Sequence, residues 1–208
     1  MEAFMYRHHP RWHQVRKLLA AGEIGQLRVV ESHFSYINMD PQNIRNQVDV
    51  GGGALMDIGC YPISASRWLF GSEPSRALSL VERDPNFGTD RFSSAILDFD
   101  SGRATLTCAT QMNRFQWMNI VGTTGRISLD IPYTAWPDQP CHIWVQRDLD
   151  IEEIVCDPVD QYTLQGDAFS RAILDDTDVT TPIDDAVLNM KVIEAIFRSA
   201  ETDTWAAV

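Results

Sequence analysis

Lysine is nearly absent from this chain: Lys17 and Lys191 are the only two in 208 residues. Both fall in stretches of helical periodicity, so neither stands beside a motif that could use an ammonium group for proton transfer. Long apolar runs are missing as well. Nothing approaches the roughly 20 residues of a membrane span. The opening "EAFMYRHHP" lacks the basic and apolar regions of a secretion signal. Together these predict a cytoplasmic protein that is neither inserted nor exported. No basic stripe exists either: the net charge is −12, with the acid concentrated in residues 148–208. Such a chain repels phosphate backbones, which excludes nucleic acid as a partner. Cysteine is sparse, with Cys60, Cys108, Cys141 and Cys156 far apart and no C-x-x-C pair, and reads as buried thiols. The G-x-S-x-G elbow, the P-loop, the H-E-x-x-H pair and G-x-G-x-x-G are all missing. Ala65, not lysine, stands four residues after Tyr61, so a Tyr-x-x-x-Lys dehydrogenase pair is absent too.

What is present is a globular chain, 44% hydrophobic, long enough to bury a sizeable core. Residues 10–21 carry Trp12, Val15, Leu18 and Leu19 at helical spacing, with Pro10 at the first turn and Gly22 past the end. "QLRVVESHFSY" favours a strand, and residues 37–53 read as a long loop. A helix is predicted from Leu55 to Phe70, kinked or restarted at Pro62. Residues 76–155 break into six or seven short strands joined by turns such as "DFDSGRA" and "VGTTGR", which argue for antiparallel neighbours. Two helices follow. One has a stripe of Leu164, Phe169, Ile173 and Leu174; the other is capped by Thr181, opens on Pro182 and buries Val187, Met190, Ile193 and Phe197. The order predicts an α+β fold: an open, mostly antiparallel sheet with helices packed on one face, forming a single domain over 1–208. An apolar sheet face without a helical cover would pair with a second copy, so a homo-oligomer is expected.

"GGGALMDIGCYP" at 51–62 is the densest candidate for chemistry. Asp57 and Tyr61 are four apart and share one helical face. Glycines before them allow the backbone to run close to a ligand or another domain. The alternative is a flexible loop ahead of an ordinary helix in which Asp57 caps locally. A phenol titrates near pKa ~10 and needs a cation beside it to act at neutral pH. Arg7 is the best local cation in the sequence, yet an arginine cannot relay a proton. His9 and His13 are also four apart and with Asp57 would suit a metal-dependent hydrolase, but no third ligand stands at matching spacing, so no metal is expected. His33 and His142 lie in strand-like runs and read as structural.

"EAFMYRHHP", "LLAAGEIGQLRVVESHFSY", "GGGALMDIGCYPI", "VGTTGRISLD", "DQYTLQGDAFSRAI" and "PIDDAVLNMKVIEAIFRSA" together resemble the Gfo/Idh/MocA oxidoreductases, over nearly the whole chain and in the family's order. The resemblance implies the C-terminal substrate and assembly domain of an enzyme that passes hydride between a sugar or cyclitol hydroxyl and NAD or NADP. It implies a Rossmann domain ahead of Met1, ending in a Glu-Lys-Pro segment that supplies the missing lysine. The chain is therefore expected to be a truncated or cleaved enzyme with no nucleotide-binding domain, neither binding the cofactor tightly nor turning over alone. By motif, Asp57 would hold or polarise the reacting hydroxyl. Tyr61, where many relatives have histidine, would carry its proton beside the cofactor. Arg7 and His9 would lie near nicotinamide and substrate, and Tyr162 and Gln165 would reach the cleft from the late helix. A standalone oligomerisation or polyol-binding module is the alternative.

Overall fold

Alternating side chains make the middle of the chain a sheet. Strands β2 (Arg76–Arg83), β3 (Asp90–Phe99) and β4 (Gly102–Ala109) bury every second residue, as do β6 (Arg126–Asp130) and β7 (Cys141–Arg147). With β1 (Leu27–Ile37), β5 (Gln111–Gly122), β8 (Asp150–Cys156) and the short β9 (Ala206–Ala207), they form an open sheet in the order β8-β7-β6-β5-β1-β4-β3-β2-β9. The computed structural model describes residues 1–208. Seven strands, β2 to β8, occupy residues 76–156, where six or seven are expected. The recorded pairings are antiparallel except β1 with β4, where Val29–Ser35 runs parallel to Arg103–Ala109. The α-helices are α1 (Pro10–Ala20), α2 (Cys60–Phe70), α3 (Gln161–Leu174) and α4 (Ile183–Thr202). None is long and apolar enough to cross a membrane.

The chain divides into two compact units. One comprises Val29–Trp117 and Asn189–Val208. Here α2 and the later turns of α4 cover one face of the strands. Phe70 stacks on Phe99 with centroids 4.3 Å apart. Ser79 of β2 ties to α4 twice, its N–H reaching Ser199 Oγ (3.0 Å) and its hydroxyl donating to the Ile196 carbonyl (2.6 Å). The opposite strand face carries Leu78, Leu80, Ile96, Thr105 and Thr107 around a depression of about 530 Å³. Leu80 there is 74% exposed.

The buried stripe of α4 differs from the expected one. Val187 and Met190 are exposed, whereas Asn189, Val192, Ile193, Ala195, Ile196 and Ser199 are buried. Hydrophobicity alone selects the wrong phase because two polar residues sit on the inner face. Asn189 is partnered there, donating to the Cys60 carbonyl (3.2 Å) and accepting from Arg67 Nη1 (3.3 Å). Arg67, itself buried, forms a two-pronged ion pair with Glu73.

The second unit comprises Met1–Arg28 and Met118–Leu188. Its core packs Tyr6 edge-on against Trp12 (5.1 Å) and Tyr133 (5.5 Å). Arg11 is fully buried and donates to the carbonyls of Asp130 (2.7 Å) and Ile131 (2.5 Å), while Trp12 Nε1 donates to Pro132 O (2.8 Å). Those bonds bolt α1 to the turn after β6. Two expectations fail in this unit. Thr181 does not cap α4, because its hydroxyl donates to the Glu2 carbonyl and its own carbonyl accepts the Glu2 N–H. The α3 stripe is not a core face either: Phe169, Ile173 and Leu174 are exposed, and Gln161 and Ala172 are the buried positions.

Candidate active site

The triple glycine answers to packing. A Cβ on Gly52 would sit 2.7 Å from the carbonyl oxygens of Ile44, Arg45 and Gln47, which converge there from the loop. Gly53 has φ +126°, and a Cβ on it would overlap the Asp90 carboxylate. Asp90, 1% exposed, accepts the Leu55 N–H (2.8 Å) and the Ser93 hydroxyl (3.1 Å), pinning the start of the following helical turn. Burial raises its pKa to about 6.

That turn, Leu55–Gly59, is a π turn that runs directly into α2. Pro62 therefore lies in the first turn of α2, where a missing N–H is tolerated, and the wide turn before it takes the place of the expected kink. Asp57 sits in the wide turn and Tyr61 in the α turn, and four residues amount to nearly one revolution in either geometry. Asp57 and Tyr61 share a neighbour, Arg45, which bonds the first and lies in electrostatic range of the second.

Two donors bracket Asp57. Tyr36 of β1 donates its phenolic hydrogen to Oδ2 (2.5 Å), and Arg45 Nε donates to Oδ1 (2.7 Å). Burial, followed by the bond to Asp57 and its charge, pushes the Tyr36 phenol well above its ordinary pKa. Tyr61 is half-buried, meets Phe34 edge-on at 5.8 Å, and lies in electrostatic range of the same Arg45. The cation at Asp57 is thus Arg45 from the 37–53 loop, not Arg7. Neither Tyr36 nor Arg45 stood out in the sequence, because one reads as a strand aromatic and the other as a loop charge. The loop that holds Arg45 is built by its own side chains: Asn43 caps the turn at Arg45 N–H, and buried Asn46 donates to the carbonyls of Asn38 and Asp40.

Arg7, His9, Tyr162 and Gln165 belong to the other unit. Arg7 is buried and pairs with Asp185 (3.4 Å). His9 is 2% exposed; its Nδ1 accepts the Arg11 N–H (3.1 Å), capping α1. Burial and neighbouring Arg11 and His13 lower its pKa to about 4. Tyr162 is exposed on the first turn of α3, and Gln165 Oε1 is buried with no hydrogen-bond partner. His33 bonds Ser35 Oγ (2.9 Å) and His142 bonds Glu153 (2.7 Å), the structural roles expected of them. No group of three or more His, Cys, Asp or Glu side chains is placed to hold a metal.

Comparison with known proteins gives this arrangement a family. Residues 12–128 match the model of the GFO/IDH/MocA C-terminal domain. The chain belongs to the Gfo/Idh/MocA oxidoreductases and carries their C-terminal domain. It is 39% identical to the uncharacterized oxidoreductase ORF334 of Rhizobium meliloti, over 100% of this chain and 64% of that protein. It is 33% identical to a D-xylose 1-dehydrogenase (NADP(+)) of Haloferax volcanii, over 97% of this chain and 62% of that one. A 3-ketoreductase of Actinomadura kijaniata, solved with NADP and TDP-benzene, superposes with TM-score 0.89 at 27% identity, covering 96% of this chain and 62% of its own. An aldose-aldose oxidoreductase of Caulobacter crescentus complexed with glycerol gives 0.90 at 25% identity, over 99% and 63%. The chain thus spans somewhat under two thirds of the relatives it matches.

Proposed function

We propose that this chain is the substrate-binding and assembly part of an oxidoreductase that moves hydride between a hydroxyl-bearing carbon of a sugar or cyclitol and NAD or NADP. The observation that carries the reading is the bracketed carboxylate of Asp57, sharing a helical flank with Tyr61. Asp57, held by Tyr36 and Arg45, receives the reacting hydroxyl and fixes its orientation. Tyr61 passes on the hydroxyl proton, with Arg45 close by and a lysine of the preceding domain completing the relay. The nicotinamide, when bound, supplies the hydride acceptor.

Gln165 Oε1, buried and unpartnered, suits an amide N–H or a sugar hydroxyl, and with Tyr162 it is the substrate contact that α3 offers. Arg7 and His9 already hold protein partners, so any part they take toward cofactor and substrate is a positioning one. The sequence has no G-x-G-x-x-G, so the dinucleotide is held by a Rossmann domain that precedes this one in the parent protein. The exposed Phe169, Ile173 and Leu174 of α3 offer apolar surface for a further domain to cover. The uncovered strand face with Leu78, Leu80 and Ile96 is where a second copy pairs.

Alone, the chain binds nucleotide weakly and does not turn over. A nicotinamide absorbance assay with a panel of aldoses and cyclitols tests this. No turnover is expected from the 208-residue chain, and sugar-dependent reduction of the cofactor by it would refute the division of labour.

A further inference from the structure

Two cysteines fifteen positions apart in the sequence face each other in the fold. Strands β7 and β8 pair antiparallel with Cys141 directly opposite Cys156, at the end of the register. Directly opposed residues in an antiparallel pair have Cα atoms about 4.5 or 5.5 Å apart, depending on the rung, and both spacings lie within the range a disulfide accepts. The two thiols are free and share a side-chain hydrogen bond. We propose that Cys141 and Cys156 form a reversible cross-strand dithiol–disulfide site that reacts with low-molecular-weight disulfides.

Burial raises the pKa of both thiols, and Arg11, fully buried with its Nε lacking any hydrogen-bond acceptor, partly offsets that rise at each sulfur. His9 adds a donor on the other side. Its Nδ1 is occupied by the Arg11 N–H, so the neutral ring carries its hydrogen on Nε2, which faces Cys141 Sγ at 3.8 Å. The two sulfurs also differ in access. Cys141 is buried and Cys156 is half-exposed on β8, the outermost strand of the sheet.

That asymmetry orders the steps. Cys156, as thiolate, attacks one sulfur of the small disulfide, and the other half leaves as a thiolate that takes up a proton. Cys141 then gives up its proton and attacks the Cys156 sulfur, expelling the second small thiol. Two protein thiols become one disulfide while the reagent is reduced to two thiols, so electrons and protons balance. The product closes the β7–β8 hairpin covalently at the edge of the sheet. This site shares no residue with the Asp57–Tyr61 pair on which the hydride-transfer reading rests.

The test uses the intact chain with oxidised glutathione in mildly alkaline buffer, followed by trapping of remaining thiols, denaturation and peptide mapping. Free thiols should fall from the four of the reduced protein to two, with Cys141 joined to Cys156 and Cys60 and Cys108 still free. Dithiothreitol should restore all four. In Cys141→Ser, a stable glutathione adduct should remain on Cys156, because the resolving thiol is gone. Retention of four free thiols in the wild type, a lasting glutathione adduct on wild-type Cys156, or a bridge involving Cys60 would overturn the proposal. The wild-type map stands whether or not the variant folds.

Discussion

Tyr36 of strand β1 donates its phenolic hydrogen to Oδ2 of Asp57 in the π turn at 2.5 Å, although a long loop separates the two in the chain. The bond holds one carboxylate oxygen while Arg45 holds the other, so the direction in which Asp57 presents itself is set by groups outside its own helix. Tyr36→Phe removes a hydrogen bond to a charged group in a half-buried setting, which should lower stability by about 1.5 kcal/mol. Urea unfolding of the two proteins measures it. Equal midpoints would mean the bond contributes nothing.

The same pair has a spectroscopic signature. Burial and the neighbouring carboxylate both keep the Tyr36 phenol protonated well past the pH at which a free phenol ionises. Asp57→Asn removes the charge and leaves the burial, so Tyr36 should ionise at lower pH in the variant. An alkaline absorbance titration should show phenolate appearing earlier in Asp57→Asn, and superimposable curves would contradict the assignment.

Asp90 sets a pH dependence of its own. Its carboxyl titrates near pH 6 in the fold because burial penalises the charge, against 3.8 for an ordinary aspartate. Between these values the unfolded chain releases the proton first. The contribution therefore favours the fold below the unfolded pKa and is lost as pH rises through about 6. Wild type should lose stability relative to Asp90→Asn over that interval, by at most about 3 kcal/mol. A difference between the two that stays constant with pH would count against it.

Glycine substitutions separate close packing from flexibility in the 51–53 turn. Gly51→Ala meets only open space and the Met56 side chain, so it suffers chiefly from its positive φ of +79°, about 1–2 kcal/mol. Gly52→Ala meets three carbonyl oxygens and Gly53→Ala meets buried Asp90, and each should cost more than about 3 kcal/mol. If all three variants unfold alike, the turn is a flexible lead-in to the helix and not a packed one.

The strand face predicts assembly. Leu80→Glu together with Ile96→Glu places charge on the uncovered surface around the 530 Å³ depression and should convert an oligomer to monomer without unfolding it. Light scattering at micromolar concentration reads the result. A wild type that is already monomeric would remove this part of the reading.

Much of this fold is legible in the sequence because strands announce themselves by alternation and turns by glycine and aspartate, as in "DFDSGRA" between β3 and β4. The Asp57–Tyr61 pair is drawn from a spacing of four alone, and nothing in the sequence signals that the turn between them changes from π to α. Failures occur where a polar side chain is buried with a partner from elsewhere. Asn189 and Ser199 look like surface residues of α4 until Arg67, the Cys60 carbonyl and Ser79 appear beside them. Exposed Phe169, Ile173 and Leu174 look like core. Tyr36, Arg45 and Asp90 act through contacts across long stretches of chain, and Cys141 and Cys156 become neighbours only through strand register.

The most direct test joins this chain to a Rossmann domain of the family carrying the Glu-Lys-Pro segment and follows nicotinamide reduction with an aldose. The joined protein should turn over. Tyr61→Phe and Asp57→Asn should each lower kcat/KM by at least about 100-fold while leaving nucleotide binding unchanged. Turnover undiminished in both variants would contradict the assignment of this helical flank as the proton-handling side of the reaction.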